Sequence, residues 1–184
     1  MNGSRSMTPC RVLVIGATAS GTTTLGRALA DRWSVPHADT DDYFWVPSDP
    51  PFVEKRDEAR RLELMQEMFL PRRAWVLTGS VMGWGEPLLD HVDVLVFCSL
   101  DPDVRLQRLR AREAVRYGDR IRAGGDLETA HQEFVSWAAG YEVPDFPGRS
   151  RTLHEEWMTR FSGPIVRLDT ARTVAELVDE LVSS

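Results

Sequence analysis

A phosphate-binding loop with one unexpected residue lies near the N-terminus of this chain. The segment GATASGTTT, Gly16 to Thr24, has its glycines and a threonine where the pattern G-x-x-x-x-G-K-[ST] requires them. The lysine of that pattern, which reaches the β- and γ-phosphates of a nucleotide, is replaced by Thr22. The chain must therefore supply positive charge from another residue, or bind phosphates without transferring them.

The sequences on either side of the loop predict the setting that such a loop needs. RVLVIG, which ends at Gly16, is apolar and β-branched, as is typical of a buried parallel strand. Leu25, Leu29 and Trp33 then recur at helical spacing. A strand-to-helix turn presents backbone N–H groups and a helix N-terminus to an anion. We therefore expect nucleotide phosphates to contact Gly16, Ala17, Ala19, Ser20, Gly21, Thr22, Thr23 and Thr24.

A cluster of carboxylates follows the second predicted strand, Val35–Asp39. Ligands of parallel sheets bind beyond the carboxyl ends of the strands, where Asp39, Asp41 and Asp42 fall. Carboxylates at that edge hold Mg²⁺ or accept a proton from an attacking hydroxyl. We favour Asp41 as the catalytic base, with Asp42 as its rival. Asp39 is expected to contact the substrate or, with the Thr23 hydroxyl, to hold Mg²⁺.

Arginines dominate one predicted helix, which Asp101 and Pro102 are suited to begin. Arg105, Arg108 and Arg112 are spaced i, i+3 and i+7, and Arg116 continues the stripe. Like charges in a row repel unless an anion neutralises them, and arginine makes forked contacts to phosphate. We expect some of these arginines to bind phosphate. The glycine-containing break that follows, Tyr117 to Gly125, predicts a mobile lid over about residues 113–127.

Aromatic and small residues near two strand ends predict a wall for a substrate pocket. Tyr43, Phe44 and Trp45 follow the acidic cluster, and Trp84 lies between two glycines. Backbone at the end of the third strand would approach a substrate closely. We expect the substrate to contact Phe44, Gly79, Ser80 and Trp84.

Alternating strand and helix patterns predict a three-layer α/β/α fold with a five-stranded parallel sheet. The predicted strands are Arg11–Gly16, Val35–Asp39, Trp75–Gly79, Asp93–Leu100 and Pro164–Asp169. The predicted helices are Thr24–Trp33, Glu54–Leu70, one from Pro102, Leu127–Gly140, Ser150–Phe161 and Val174–Val182. With 184 residues and 42% hydrophobic content, the chain fits one domain over residues 10–184 after a flexible tail of residues 1–9.

Composition narrows the partners and the compartment. A net charge of −6 and a pI near 5.3 argue against general nucleic-acid binding. No run approaches the ~18 apolar residues of a membrane span, and the first residues lack an apolar signal core. The two cysteines lack metal-site or disulfide-framework spacing. We expect a cytoplasmic monomer or homodimer with small-molecule ligands and no nucleic-acid or membrane partner.

These features together resemble the P-loop nucleoside and nucleotide kinases, most nearly the adenylate kinase-like and cytidylate kinase-like groups. Archaeal-type cytidylate kinases carry a GTTT-like ending in this loop, so Thr22 is compatible with catalysis. The segment DTDDYFW resembles the D-D-F/Y element of uridine kinase and nicotinamide riboside kinase, where an aspartate acts on the substrate hydroxyl. The resemblance covers roughly Arg11 to Val182.

The resemblance implies an ATP- and Mg²⁺-dependent kinase with Thr23 on the metal and with Arg108 and Arg112 at the nucleotide and the lid. Positioned arginines such as Arg112 and Arg116, or Lys55 in the segment over the substrate, would supply the charge missing at Thr22. The first acceptor is a nucleoside or nucleoside monophosphate. A small polyol or acid, as in gluconate- and shikimate-type kinases, is the alternative acceptor. The competing hypothesis is a nucleotide-binding sensor or regulatory partner without turnover.

Overall fold

Five strands form one sheet in the order β2-β3-β1-β4-β5 in the computed structural model, which describes residues 7–182. The strands are β1 (Arg11–Gly16), β2 (His37–Asp39), β3 (Trp75–Thr78), β4 (Val94–Ser99) and β5 (Ile165–Asp169). Strand β1 pairs in parallel with β3 and β4, and β2 pairs in parallel with β3. The predicted parallel α/β fold is confirmed. Residues 1–6 of the predicted tail lie outside the described residues.

Seven α-helices connect or follow the strands within the described residues. They are α1 (Thr22–Trp33), α2 (Thr40–Phe44), α3 (Glu58–Met68), α4 (Pro102–Tyr117), α5 (Glu128–Ala139), α6 (Arg151–Met158) and α7 (Val174–Val182). Three 3₁₀ turns lie at Glu86–His91, Gly118–Ile121 and Gly140–Glu142. Among the described residues, no helix is long and apolar enough to cross a membrane.

The chain divides into two compact units. Among the described residues, the first contains 7–16, Gly21–Cys98 and 161–182, and so holds the sheet with α1, α2, α3 and α7. The second contains Ala17–Ser20 and Ser99–Arg160, and so holds α4, α5 and α6. The single domain expected over residues 10–184 stays a prediction.

Side chains on both faces of β1 are buried in the first unit. Val12 and Val14 belong to a buried cluster that includes Leu25 of α1 and Leu177 of α7. The intervening Leu13 is also fully buried, so both faces of the central strand are covered. Such a strand reads as a continuous apolar run, which is why the sequence predicts β1 with its exact bounds.

The helix boundaries follow from capping residues. Asp101 accepts hydrogen bonds from the amides of Asp103 and Val104, which confirms the predicted start of α4. Asp57 caps α3 in the same way, so this helix begins four residues later than the predicted Glu54. Lys55, which was predicted to lie inside this helix, forms an isolated antiparallel bridge with Trp45.

The second unit contains a buried polar pair whose titration affects stability. The hydroxyl of Tyr141 lies 2.8 Å from Nδ1 of His154, and the His154 residue is 0% exposed. Burial lowers the pKa of His154 from 6.5 to about 3. The unfolded chain therefore takes up a proton near pH 6.5, whereas the folded chain does not until about pH 3.

We expect the free energy of unfolding to fall by about 2 kcal/mol as the pH drops from about 8 to about 5, because of His154 alone. Urea unfolding of the wild type and His154→Gln at both pH values measures this effect. The variant should be less stable at pH 8 but lose less stability on acidification. An equal loss in both proteins would contradict the assignment.

Candidate functional site

The phosphate-binding loop joins β1 to α1 with a left-handed backbone at two positions. Gly21, the N-cap of α1, has φ of +92°, and Ala19 has φ of +64°. No side chain caps this helix, and its first turn carries no acidic residue. The first amides of a helix have no intrahelical acceptor and lie at the positive end of its dipole. The loop therefore has the open helix N-terminus that an anion requires.

Asp39 lies at the centre of a hydrogen-bonded group beside this helix. Its Oδ2 accepts hydrogen bonds from the hydroxyls of Thr23, at 2.9 Å, and Thr78, at 3.1 Å. Its Oδ1 accepts the amide of Asp41 at 3.1 Å, which caps α2. The two residues predicted to hold Mg²⁺, Thr23 and Asp39, are thus brought into direct contact.

These donors fit a metal that arrives with phosphates. The Thr23 hydroxyl and the Asp39 carboxylate offer oxygen ligands, which Mg²⁺ prefers. Within residues 7–182 there is no group of three or more His, Cys, Asp or Glu side chains that could hold a metal ion. Magnesium commonly binds through one or two protein oxygens together with substrate phosphates and water. The pair therefore suits a magnesium–nucleotide complex better than a free ion.

Asp41 and Asp42 lie in the first turn of α2, a five-residue helix that the sequence does not predict. Both residues are exposed. Partial burial of the carboxyl group, followed by the nearby charge of Asp39, raises the pKa of Asp42. A carboxylate with a raised pKa is a stronger base, so Asp42 keeps its place as the rival of Asp41.

Gly79 follows β3 with φ of +101°, a conformation that an L side chain rarely adopts. A β-carbon at this position would overlap the side chain of Thr40, which is itself buried. The next residue, Ser80, is also buried, and its hydroxyl accepts the amide of Met82 at 3.4 Å. The close backbone approach at Gly79 is therefore made to α2. Substrate contacts by Gly79 and Ser80 stay predictions.

Two predicted substrate residues, Phe44 and Trp84, lie edge to face with ring centroids 5.8 Å apart. The guanidinium of Arg61 lies 3.9 Å from the Phe44 centroid and 5.2 Å from that of Trp84. Arg61 is only 7% exposed, and its Nε donates to the carbonyl of Arg56 at 2.8 Å. The aromatic wall is thus built around a buried cation that the sequence did not predict.

Arg56 fastens the neighbouring segment to α2. Its Nε donates to the carbonyl of Tyr43 and its Nη2 to that of Trp45, both at 3.0 Å. The adjacent Lys55 is exposed, with Nζ 5.9 Å from the Phe44 ring centroid. Lys55 thus lies beside the aromatic group, and its catalytic role stays a prediction.

The arginines of α4, in the second unit, do not share one environment. Arg108, Arg112 and Arg116 are exposed, whereas Arg105 is 1% exposed and lies on the buried face with Leu109 and Glu113. The single stripe of four arginines that the spacing predicts is therefore not formed, because Arg105 lies on the buried face of the helix.

The exposed arginines of α4 have local partners. Arg112 Nη2 forms an ion pair of 3.2 Å with Glu113. Arg116 lies 5.9 Å from the Tyr117 ring centroid. The predicted break after this helix includes a 3₁₀ turn at Gly118–Ile121, and Arg120 of this turn pairs with Asp126 at 2.8 Å. Nucleotide binding by these exposed arginines and the lid role of residues 113–127 stay predictions.

The fold of this chain is similar to that of a solved kinase structure, as the resemblance in the sequence predicts. The crystal structure of a gluconokinase from Sinorhizobium meliloti matches this chain with a TM-score of 0.52 and 19% identity, over 97% of this chain and 92% of that one. The match establishes the fold. It does not establish an activity, because sequence identity at this level is too low.

The chain belongs to the same family as the uncharacterized protein YqaC of Bacillus subtilis. The two are 38% identical over 169 residues, which are 92% of this chain and 93% of YqaC. A cytidylate kinase of Methanocorpusculum labreanum is 23% identical over 120 residues, or 57% of this chain and 64% of that enzyme. No family model matches the chain.

Proposed function

We propose that this protein is a small-molecule kinase that transfers the γ-phosphoryl group of ATP to a nucleoside, a nucleoside monophosphate or a similar small acceptor. The observation that carries the proposal is the contact between Thr23 and Asp39 beside the uncapped N-terminus of α1. A loop for phosphates and oxygen ligands for their metal thereby meet at one helix end.

In this proposal, the Thr23 hydroxyl and the Asp39 carboxylate would hold Mg²⁺, and the ion would supply positive charge next to the phosphates. The carboxylate of Asp41 orients the acceptor hydroxyl and takes its proton. The acceptor oxygen forms a bond to the γ-phosphorus as the bond to the leaving ADP oxygen breaks. Catalysis then consists mainly of positioning and charge neutralisation.

The positive charge of Arg61 favours an acceptor that carries a negative charge. Its side chain is held between Phe44 and Trp84, and its single hydrogen bond among the described residues uses Nε. The terminal nitrogens remain available for a forked contact to a phosphate or carboxylate. Similarity to a cytidylate kinase and to a gluconokinase by fold supports a small acceptor but does not choose between their classes.

We expect Arg61→Met to raise the KM for an anionic acceptor by about tenfold to a hundredfold, since a charged hydrogen bond contributes about 1.5–3 kcal/mol. The KM for ATP should change little. Arg60→Met is the matched control, because Arg60 is the preceding residue but is exposed and paired with Glu63 and Glu67. Steady-state kinetics of both variants test the assignment. An equal rise of the acceptor KM in Arg61→Met and Arg60→Met would contradict it.

The second candidate function is nucleotide binding without turnover, which the absence of a lysine at Thr22 favours. Incubating the protein with ATP, Mg²⁺ and a panel of nucleosides, nucleoside monophosphates, polyols and small acids separates the two. A kinase gives a phosphorylated product with at least one acceptor. Measured ATP binding with no product across the panel would support the sensor and overturn the kinase.

A further inference from the structure

A buried arginine contacts the phosphate-binding loop from within the second unit. Arg105 lies in the first turns of α4 and is 1% exposed. Burying a cation is costly unless hydrogen bonds or opposite charges compensate it. Among the described residues, no carboxylate lies within ion-pair distance of this guanidinium, so its position requires another explanation.

The contacts of Arg105 are with backbone carbonyls and an aromatic ring. Nη1 donates to the carbonyl of Thr18 at 3.2 Å, and Nη2 donates to the carbonyl of Ala138 at 3.0 Å. The guanidinium carbon lies 5.3 Å from the ring centroid of Tyr141, and Nε is buried without a hydrogen-bond partner. Among the described residues the guanidinium forms no direct ion pair, and Glu142 is a negative charge that acts on it from a longer distance.

The bond to Thr18 also fixes the orientation of a loop amide. In a trans peptide the carbonyl and the N–H of the next residue point in opposite directions. The Thr18 carbonyl points to Arg105, so the N–H of Ala19 points away from it. Ala19 has φ of +64°, which is unfavourable for alanine and needs support from its surroundings. Arg105 supplies that support.

We propose that Arg105 is a positioning residue for the Ala17–Ser20 segment of a phosphate-binding loop that lacks the usual lysine. It holds the Ala19 amide toward the phosphate side of the loop and makes the electrostatic potential there more positive. The inference rests on the proposed nucleotide binding but does not require turnover. It differs from the role expected for the exposed arginines, since Arg105 contacts the loop and not the phosphates.

The test measures the affinities for ATP and for adenosine by calorimetry in four variants. They are Arg105→Met, Thr22→Lys, the double variant and Arg110→Met. Arg110 is the matched control, because it is an exposed arginine of the same helix with no role in the site. Circular dichroism and thermal unfolding check that each variant is folded.

We expect Arg105→Met to weaken ATP binding by about tenfold to a hundredfold, the range of a charge-assisted hydrogen bond, and to leave adenosine binding unchanged. Thr22→Lys should restore most of this loss in the double variant, because a lysine returns charge to the same loop. Arg110→Met should change neither affinity. A purely structural role would weaken both ligands together and would give no recovery with lysine.

Each result decides the proposal. Unchanged ATP affinity in Arg105→Met, or no recovery in the double variant, would overturn it while leaving the proposed function intact. If Arg105→Met does not fold, Arg105→Lys takes its place, with a smaller loss of ATP affinity that Thr22→Lys must still recover. If the affinities are as expected but no phosphorylated product forms, the kinase activity is overturned and the role of Arg105 stands. A wild-type protein that bound no ATP would overturn both.

Discussion

Replacing Asp41 with asparagine is expected to slow phosphoryl transfer by about 10²- to 10⁴-fold, the usual contribution of a general base. The amide has nearly the same shape as the carboxylate but cannot take a proton from the acceptor. Helix α2 should persist, because its cap uses the Asp41 backbone amide and the Asp39 side chain. ATP affinity should therefore stay near the wild-type value while the rate of single-turnover transfer falls.

Asp42→Asn is the control for this prediction, since it removes the neighbouring carboxylate from the same helical turn. It should reduce transfer far less than Asp41→Asn. The pH dependence of the rate provides a second check. Burial and the charge of Asp39 raise the pKa of Asp42, so a base at this position would shift the acidic limb of the profile upward. A larger loss in Asp42→Asn together with that shift would reassign the base.

Gly79→Ala is expected to lower the free energy of unfolding by about 3 kcal/mol. A left-handed backbone costs an alanine about 1–2 kcal/mol, and overpacking costs about 1–3 kcal/mol more. Here the added methyl group would meet the side chain of Thr40. Because Thr40 begins α2, the variant should also displace Asp41 and slow transfer.

The control for Gly79 is Gly83→Ala. Gly83 has a similar φ of +83°, but a β-carbon there would meet no atom within 4 Å. Urea unfolding should therefore show that Gly83→Ala loses only about 1–2 kcal/mol of unfolding free energy, the cost of the left-handed backbone. Equal losses of stability in the two variants would show that the contact with Thr40 contributes nothing.

The parts of the fold that could be predicted from the sequence are those with local signals. Buried parallel strands are continuous apolar runs, and a capping aspartate followed by proline marks the start of α4. Helix α2 could not be predicted in this way. It has five residues, too few for a helical period, and depends on the bonds from Asp39 and Arg56.

Part of the candidate site could also be predicted, because some of its residues belong to local sequence motifs. The contact between Thr23 and Asp39 follows from the loop motif and from the rule that ligands bind at strand ends. Thr78, which shares the same carboxylate oxygen, gave no signal because a threonine is ordinary in a buried strand.

The burial of Arg61 and Arg105 was not predicted from the sequence. Arg105 is spaced i, i+4 and i+8 with Leu109 and Glu113, and Arg61 is spaced likewise with Met65 and Phe69. Both spacings favour the buried face of a helix, but arginine is usually exposed. The carbonyl of Thr18 that holds Arg105 lies 87 positions away in the chain, beyond any local pattern.

The most direct measurement of the central claim compares ADP formation with and without an acceptor in the same preparation, under single-turnover conditions with Mg²⁺ and γ-labelled ATP. We expect ADP to appear only with a suitable small acceptor, and the label to move to that acceptor in equal amount. Bound ATP that stays intact with every acceptor, or label released only as inorganic phosphate, would contradict the assignment as a kinase.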